Sequence, residues 1–459
     1  MISAPGAVTT GFIKQPVGKY RLAKMRRGFK SDVVANESYY LIESMNHAPA
    51  LLSPRSRWLL LLSGLGPGLI VMLADTDAGS IITAAQSGAV WGYKLLPLQL
   101  ILVPVLFVVQ ELTVRLGLVT GRGHGELIRE HFGVKWAWLS AATLVLACVG
   151  ALISELSGMA GVGLLFGIPA PLTMTVVVGG IILMAVTGSY RSVERIAVAF
   201  GLFELVFIYI AITCKPDLNA MVEQMAHIPF GDKGYLYLVT ANIGAVIMPW
   251  MVFFQQSAVV EKGMHIGQLR LARFETAAGA LLTQLVMASV LIAAAATIGT
   301  AGGNAELNDV QQISETMVPF LGEMLGRAAF VVGITGAAMV ATIVVSLTAA
   351  WGVGEVAGYR RSLADHPREA PWFYGIFILC LILGGGLVAS GVNLVKLSVA
   401  VEVVNALLLP IVLGFLFLLA RRALPPSYRL RGVYAWVAGL TMLVTAGFGI
   451  FSGIAGLFE

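Results

Sequence analysis

The chain has 459 residues, of which 58% are hydrophobic and only 12% charged. In water so apolar a chain would expose large patches and aggregate, which excludes a soluble globular protein; in lipid the same composition is ordinary, because apolar runs cross the hydrocarbon as helices. The net charge of +5 does not imply a nucleic-acid partner, since the basic residues lie between apolar runs and read as topology signals.

The first 56 residues contain no long apolar run. Lys14, Lys19, Arg21, Lys24, Arg26, Arg27 and Lys30 make this segment basic. It lacks the basic, apolar and cleavage-site order of a signal peptide. Residues 1–56 are therefore expected to form a basic cytoplasmic tail, and 57–459 a transmembrane domain. Apolar runs of about 20 residues predict eleven spans, near 57–90, 95–119, 136–166, 170–189, 194–213, 236–261, 271–299, 326–355, 371–390, 394–421 and 432–456. Several exceed the membrane thickness, so they must tilt, break or protrude. Cys148, Cys214 and Cys380 lie in or beside apolar runs. They form neither a disulfide framework nor a metal motif.

Charge in the gaps supports this count. Alternate gaps hold Arg122, Arg129 and Lys135; Arg191 and Arg195; Lys262, Arg270 and Arg273; Arg360, Arg361 and Arg368; and Arg421, Arg422, Arg429 and Arg431. The gap at 300–325 instead carries Glu306, Asp309, Glu315 and Glu323. Basic residues favour the inside, so the N-terminus is expected inside and the C-terminus outside, in a bacterial plasma membrane.

Two spans are unlike the rest. The first holds Gly64, Gly66, Pro67 and Gly68, then Asp75, Thr76, Asp77, Ala78, Gly79 and Ser80. The sixth holds Asn242, Gly244, Ala245, Met248 and Pro249. Both carry a polar or helix-breaking patch near mid-membrane. They are five spans apart, an odd number, so the two helices run in opposite directions. That is the pattern of an inverted repeat, 57–213 matched to 236–421, with 432–456 appended. Paired broken helices at corresponding positions mark the central site of a transporter.

A carboxylate at mid-bilayer costs roughly 2.5–3.5 kcal/mol even on insertion scales. Asp77 supplies both charge and an oxygen ligand to a hard divalent cation; a carboxylate capping the helix at a break is the alternative. Gly79 would let the helix open, and Ser80 adds a hydroxyl. Asp75 is either a carboxylate behind the ligands or the lining of a wet vestibule. Pro249 cannot donate a backbone hydrogen bond, which frees carbonyls near Ala245. Met248 offers a soft thioether, although a Met in a membrane helix is usually core filler. Glu111 and Arg115, four residues apart, read as a local ion pair. Glu155 and Glu402 lie deeper, as ion-pathway candidates, with Asn405 one turn from Glu402. Glu204 has no legible role.

These residues resemble the NRAMP divalent-metal transporters. Gly66-Pro67-Gly68 followed by Asp77-Ala78-Gly79-Ser80 looks like that family's GPG…DPGN first helix. Gly244-Ala245-Val246-Ile247-Met248-Pro249-Trp250 looks like its GATVMPH sixth helix. Arg115-Leu116-Gly117-Leu118-Val119-Thr120-Gly121 resembles its RLGIVTG second-helix end, and Glu155-Leu156-Ser157-Gly158 its third-helix Asp-x-x-Glu segment. The resemblance implies an all-α membrane protein with a LeuT-like 5+5 inverted repeat, about 11 transmembrane helices, the first and sixth broken. It also implies alternating access and a metal site of Asp77, Ser80, the carbonyl of Ala245 and Met248. The metal is cargo; no cofactor is expected, and the only other partner inferred is the lipid bilayer.

Departures from the family pattern narrow this reading. The family's DPGN Pro and Asn are Ala78 and Ser80. Its MPH His, linked to proton movement, is Trp250; the second His of that helix falls on Gln255 or Gln256. The third-helix Asp falls on Leu152, while its Glu is kept as Glu155. Trp and Leu cannot relay protons, so proton coupling is expected to be weak or absent. The same departures resemble the NRAMP-related magnesium transporter branch. An uncoupled carrier suits an abundant ion drawn in by the membrane potential, which gives a divalent ion roughly 4.6 kcal/mol per 100 mV. Mg2+ prefers oxygen ligands, whereas Met248 favours Mn2+ or Fe2+. The expectation is import of Mg2+ and/or Mn2+, with proton-coupled Mn2+/Fe2+ transport or a LeuT-fold carrier of an organic solute as alternatives. An intramembrane aspartyl protease would need two facing Asp residues on different spans. Asp75-Thr76 is followed by Asp77 where that motif needs Gly, so no enzyme is expected.

Overall fold

Hydrocarbon leaves backbone groups no partners but each other, and the described chain answers with helices throughout. The computed structural model describes residues 67–187, 199–299, 307, 309–315, 322–362, 365–391 and 393–457. They belong to one unit, Leu61–Glu459. The expected tail over 1–56, the start of the first span with Gly64 and Gly66, and the loop residues Arg191, Arg195 and Glu306 lie outside the described residues.

The first span comprises α1 (Pro67–Asp75) and α2 (Ala78–Trp91). A 3-10 turn, Gly92–Leu95, leads into the second, α3 (Leu96–Thr120). Gly121 ends α3 in the left-handed conformation at φ 62°, which costs glycine nothing. A short helix, α4 (His124–Phe132), precedes the third span, α5 (Val134–Leu165), and the fourth, α6 (Ala170–Thr187). The fifth ends in α7 (Val206–Thr213). The chain then bends by 102° into α8 (Leu218–Ala226), which has no buried residue. The sixth span is α9 (Lys233–Val246) with α10 (Pro249–Glu261). The remaining helices are α11 (Leu269–Ala294), α12 (Val310–Glu315), α13 (Glu323–Ala357), α14 (Pro371–Ala389), α15 (Leu394–Arg422) and α16 (Gly432–Leu457).

Among the described residues nine helices are long and apolar enough to cross a membrane, or ten if the bent pair is one span. One of them, Ala78–Thr120, holds two expected spans joined through the 3-10 turn. Divided there, the count reaches the eleven expected. The third and eighth spans, α5 and α13, pack side by side, as do α9 and α15. The most apolar stretch of the broken sixth span is 94% buried, against 17% for α6. Span six is therefore central and α6 faces lipid.

Polar side chains join the helices where the sequence shows only apolar spacing. Gln99 on α3 donates to Asn242 on α9 at 2.6 Å, and Asn242 donates to Ser87 on α2 at 2.7 Å. The expected Glu111–Arg115 pair forms at 2.6 Å. It is more than local, because Glu111 also accepts from Arg273 on α11 at 2.7 Å and from Tyr434 on α16 at 3.1 Å. Three spans thus meet on one carboxylate. Glu111→Gln leaves two guanidiniums without their anion and is expected to cost about 2 kcal/mol. A thermal melt in detergent, set against the exposed Glu223→Gln, measures it; equal melting points would remove the network's structural role.

Candidate functional site

The first span breaks at Thr76 and Asp77, and the sixth at Ile247 and Met248. Asp77 is extended (φ −80°, ψ 174°), and its Oδ1 accepts from Ser80 N at 2.7 Å, capping α2. Such a cap satisfies an orphan donor at the helix start. The capping alternative is thus present, and it occupies one oxygen only. Oδ2 receives no hydrogen bond. In the sixth span Pro249 is the first residue of α10 and Met248 its N-cap, extended at φ −84°, ψ 139°. The carbonyl four residues before a proline has no helical partner. That carbonyl is Ala245 O, and it accepts from Ser80 Oγ at 2.9 Å. One hydrogen bond thus joins the two breaks.

Two further carboxylates converge here. Glu155 on α5 accepts from Ala78 N at 3.0 Å through Oε2, leaving Oε1 without a donor. Glu402 on α15 accepts from Asn405 at 2.9 Å through Oε2, and its Oε1 also lacks a donor. Asp75 ends α1 with neither oxygen bonded. All four carboxylates are buried. Among the described residues no Lys, Arg or His pairs with any of them. Buried negative charge needs a cation or a proton in its place.

Gly79 plays a different part from the one expected. The helix opens before it, at residues 76 and 77, and Gly79 sits within the first turn of α2. A Cβ there would collide with Ser154 Oγ and lie 2.5 Å from Glu402 Oε1. Its value is space, which admits α5 and α15 side chains to the break. Gly244 does the same for backbone: a Cβ would collide with the carbonyl oxygen of Glu402 and stand 2.9 Å from Ala406 N.

Trp250 is wholly buried and donates through Nε1 to Met248 Sδ at 3.0 Å. Gln255 donates to Thr276 on α11 at 3.3 Å. Gln256 Oε1 lies 3.0 Å from His124 Nδ1, and its Nε2 donates to Arg122 O at 2.9 Å. Burial of His124, in α4 outside the spans, pushes its imidazole down to about 4, so this contact is made by a neutral ring that donates from Nδ1. Leu152 is fully buried against α14, 3.2 Å from where a Gly384 Cβ would stand.

The structure brings Asp77, Ser80, Ala245, Glu155, Glu402 and Gly79 together, with Met248 and Trp250 at the second break. It also places Glu204, which the sequence left without a role. Glu204 lies in the 3-10 turn Leu202–Leu205 and lines a small cavity with Thr76 and Thr283. Ser154 beside Gly79 was missed as well. It sits one position before Glu155, in an apolar helix whose spacing gives no sign of that contact. Among the described residues no three His, Cys, Asp or Glu side chains stand in metal-holding geometry. A cation here would be met by a mixed set of carboxylate, hydroxyl, carbonyl and thioether.

Two broken helices joined at their breaks through Ser80 and the Ala245 carbonyl, with unpaired carboxylate oxygens beside them, define a membrane transporter of LeuT-like architecture. Solved structures share the fold: MhsT in complex with L-phenylalanine superposes with a TM-score of 0.59 at 13% identity, covering 86% of this chain and 98% of that one. The chain belongs to the Nramp family, natural resistance-associated macrophage protein-like, whose model matches residues 68–454. The Eremococcus coleocola manganese transporter, solved with an aromatic bis-isothiourea substituted compound, gives a TM-score of 0.70 at 20% identity over 89% of this chain and 90% of that one. A Burkholderia ambifaria relative described as the divalent metal cation transporter MntH is 26% identical over 440 residues, 93% of this chain and 96% of its own length.

Proposed function

We propose that the chain imports divalent metal cations by alternating access at the breaks of its first and sixth spans. Asp77, Ser80, the Ala245 carbonyl and Met248 serve as ligands, and the cargo is Mg2+ together with Mn2+, with little or no proton coupling. Family membership supports the class of substrate, since the relative and the solved structure are named for divalent metal and manganese. The observation that carries the ion preference is the hydrogen bond from Trp250 to the Met248 sulfur. A thioether already engaged by an indole N–H is a poorer soft ligand. The remaining donors, Asp77 Oδ2, Ser80 Oγ and Ala245 O, are oxygens, which suit Mg2+ as well as Mn2+. Trp250 also stands where the family's proton-linked His would be. Asp75, Glu155, Glu402, Asn405 and Gln255 line or position the path. The basic gaps support an N-terminus inside the bacterial plasma membrane and a C-terminus outside.

A specific observation favours a second reading, proton-coupled Mn2+ transport: Glu155 and Glu402 each keep a free carboxylate oxygen at the break. An organic solute is disfavoured, because the buried Asp77 carboxylate has an unpaired oxygen and no basic partner among the described residues, which favours a cation.

The test is Mn2+ entry into proteoliposomes holding a Mn2+-quenched dye, with excess external Mg2+ and a parallel pH-sensitive dye. Entry that Mg2+ suppresses, that Asp77→Ala abolishes and that leaves internal pH unchanged is the expected result. Acidification in step with Mn2+ entry would install the second reading. No entry by well-folded protein would remove the metal. Trp250→Phe removes the donor to sulfur and is expected to shift selectivity toward Mn2+: the Mg2+ concentration that halves Mn2+ entry should rise about fivefold, the worth of one hydrogen bond. An unchanged concentration would show that the indole does not tune the sulfur.

A further inference from the structure

We infer that the groove between the ends of α15 and α16 is a binding site for an anionic glycerophospholipid. The groove has a volume of about 480 Å³ and is lined by Phe417, Arg421, Arg431, Trp436, Leu440 and Leu443, among others. It is polar at one end and apolar along its length. Arg421 closes α15 and Arg431 stands just before α16, so both guanidiniums sit where two spans leave the hydrocarbon. Below them Trp436, Leu440 and Leu443 are exposed along the outward face of α16, at 81%, 62% and 71%. A guanidinium pair above an apolar channel matches a phosphate above two acyl chains.

Charge complementarity decides the occupant. The sequence has no acidic residue between Glu402 and Glu459, while Arg421, Arg422, Arg429 and Arg431 fall in that interval. Among the described residues neither Arg421 nor Arg431 makes an ion pair. Arg421 stacks 5.8 Å from the Phe417 ring, which fixes its head at the rim and leaves its donors free. The other two arginines are engaged elsewhere: Arg422 lies over the Phe132 ring and Arg429 donates to Leu424 O. Basic pockets between spans at the membrane surface bind anionic head groups, and Trp is at home at that depth. The floor is firm, since the Phe417 ring lies 3.1 Å from where a Gly439 Cβ would be.

The experiment is native mass spectrometry of the full chain titrated with phosphatidylglycerol or phosphatidylcholine. Wild type is compared with Arg421→Gln/Arg431→Gln and with a control of equal charge loss at exposed sites, Arg270→Gln/Arg368→Gln. A first phosphatidylglycerol should bind more tightly than phosphatidylcholine. The groove variant should lose about thirtyfold in that affinity, the sum for two arginines at a membrane surface, while the control keeps it. In nanodiscs, brominated phosphatidylglycerol should quench a component of tryptophan emission that Trp436→Phe removes. Equal affinity for the two lipids, equal loss in both variants, displacement by soluble glycerol phosphate, or a dimer that buries Trp436 would each overturn the assignment.

Discussion

Asp77→Asn is expected to abolish metal entry while the protein stays folded. The two carboxylate oxygens differ: Oδ1 caps α2, and Oδ2 is buried at the break without a donor. Asparagine keeps an oxygen for Ser80 N and loses the charge, so the cap, worth about 1 kcal/mol, survives. What disappears is the anionic ligand among neutral donors. Partners one step removed from a metal already shift affinity 10- to 100-fold; a direct carboxylate ligand should exceed about a hundredfold. Mn2+ affinity by calorimetry and entry into liposomes should fall together, with the melting point within a few degrees of wild type. Entry at wild-type rate would move the cation elsewhere, and a collapsed melting point would make Asp77 a structural residue.

Gly244→Ala should produce the largest loss of stability of any single methyl in the chain's centre. The added carbon would enter the Glu402 carbonyl, with Ala406 N also within 2.9 Å. Both neighbours are backbone, so no rotamer change relieves the clash and α9 must leave α15. Overpacking of this kind costs about 3 kcal/mol. Gly375→Ala is the control, since nothing lies within 4 Å of its Cβ position. Size-exclusion profiles and melting curves of the two variants give the comparison. Similar curves would mean that the α9–α15 contact is slack.

The broken spans were legible because Gly, Pro and Asp are rare enough in apolar runs to mark where a helix ends. Asp77 and Pro249 were readable for that reason, and so was the carbonyl of Ala245, which follows from the geometry of any proline. The partners of those residues were not. Which face of α5 turns inward is decided by packing among helices apolar on every side, so Ser154 carried no signal; Glu204 was visible as a carboxylate, but its neighbours across the 3-10 turn were not. Gly79 was read through its backbone freedom, while its function lies in the side chain it lacks. Trp250 and Met248, two residues apart, do not meet on a regular helix. They touch because Met248 is extended at the N-cap, a fact that belongs to the break and not to the spacing.

The α15 helix touches both breaks, through the Glu402 carboxylate at Gly79 and the Glu402 backbone at Gly244. If the broken helices tilt as the proposed function requires, the first half of α15 would have to move with them. Further along, α15 contains Pro410, whose missing hydrogen bond makes a bend cheap there, and its far end carries the arginine rim at α16. Under the proposed alternating access, Glu402 and Pro410 would make α15 a lever: the arm beside the breaks would move with them, the fulcrum would lie eight residues on, and the other arm would end at the arginine rim.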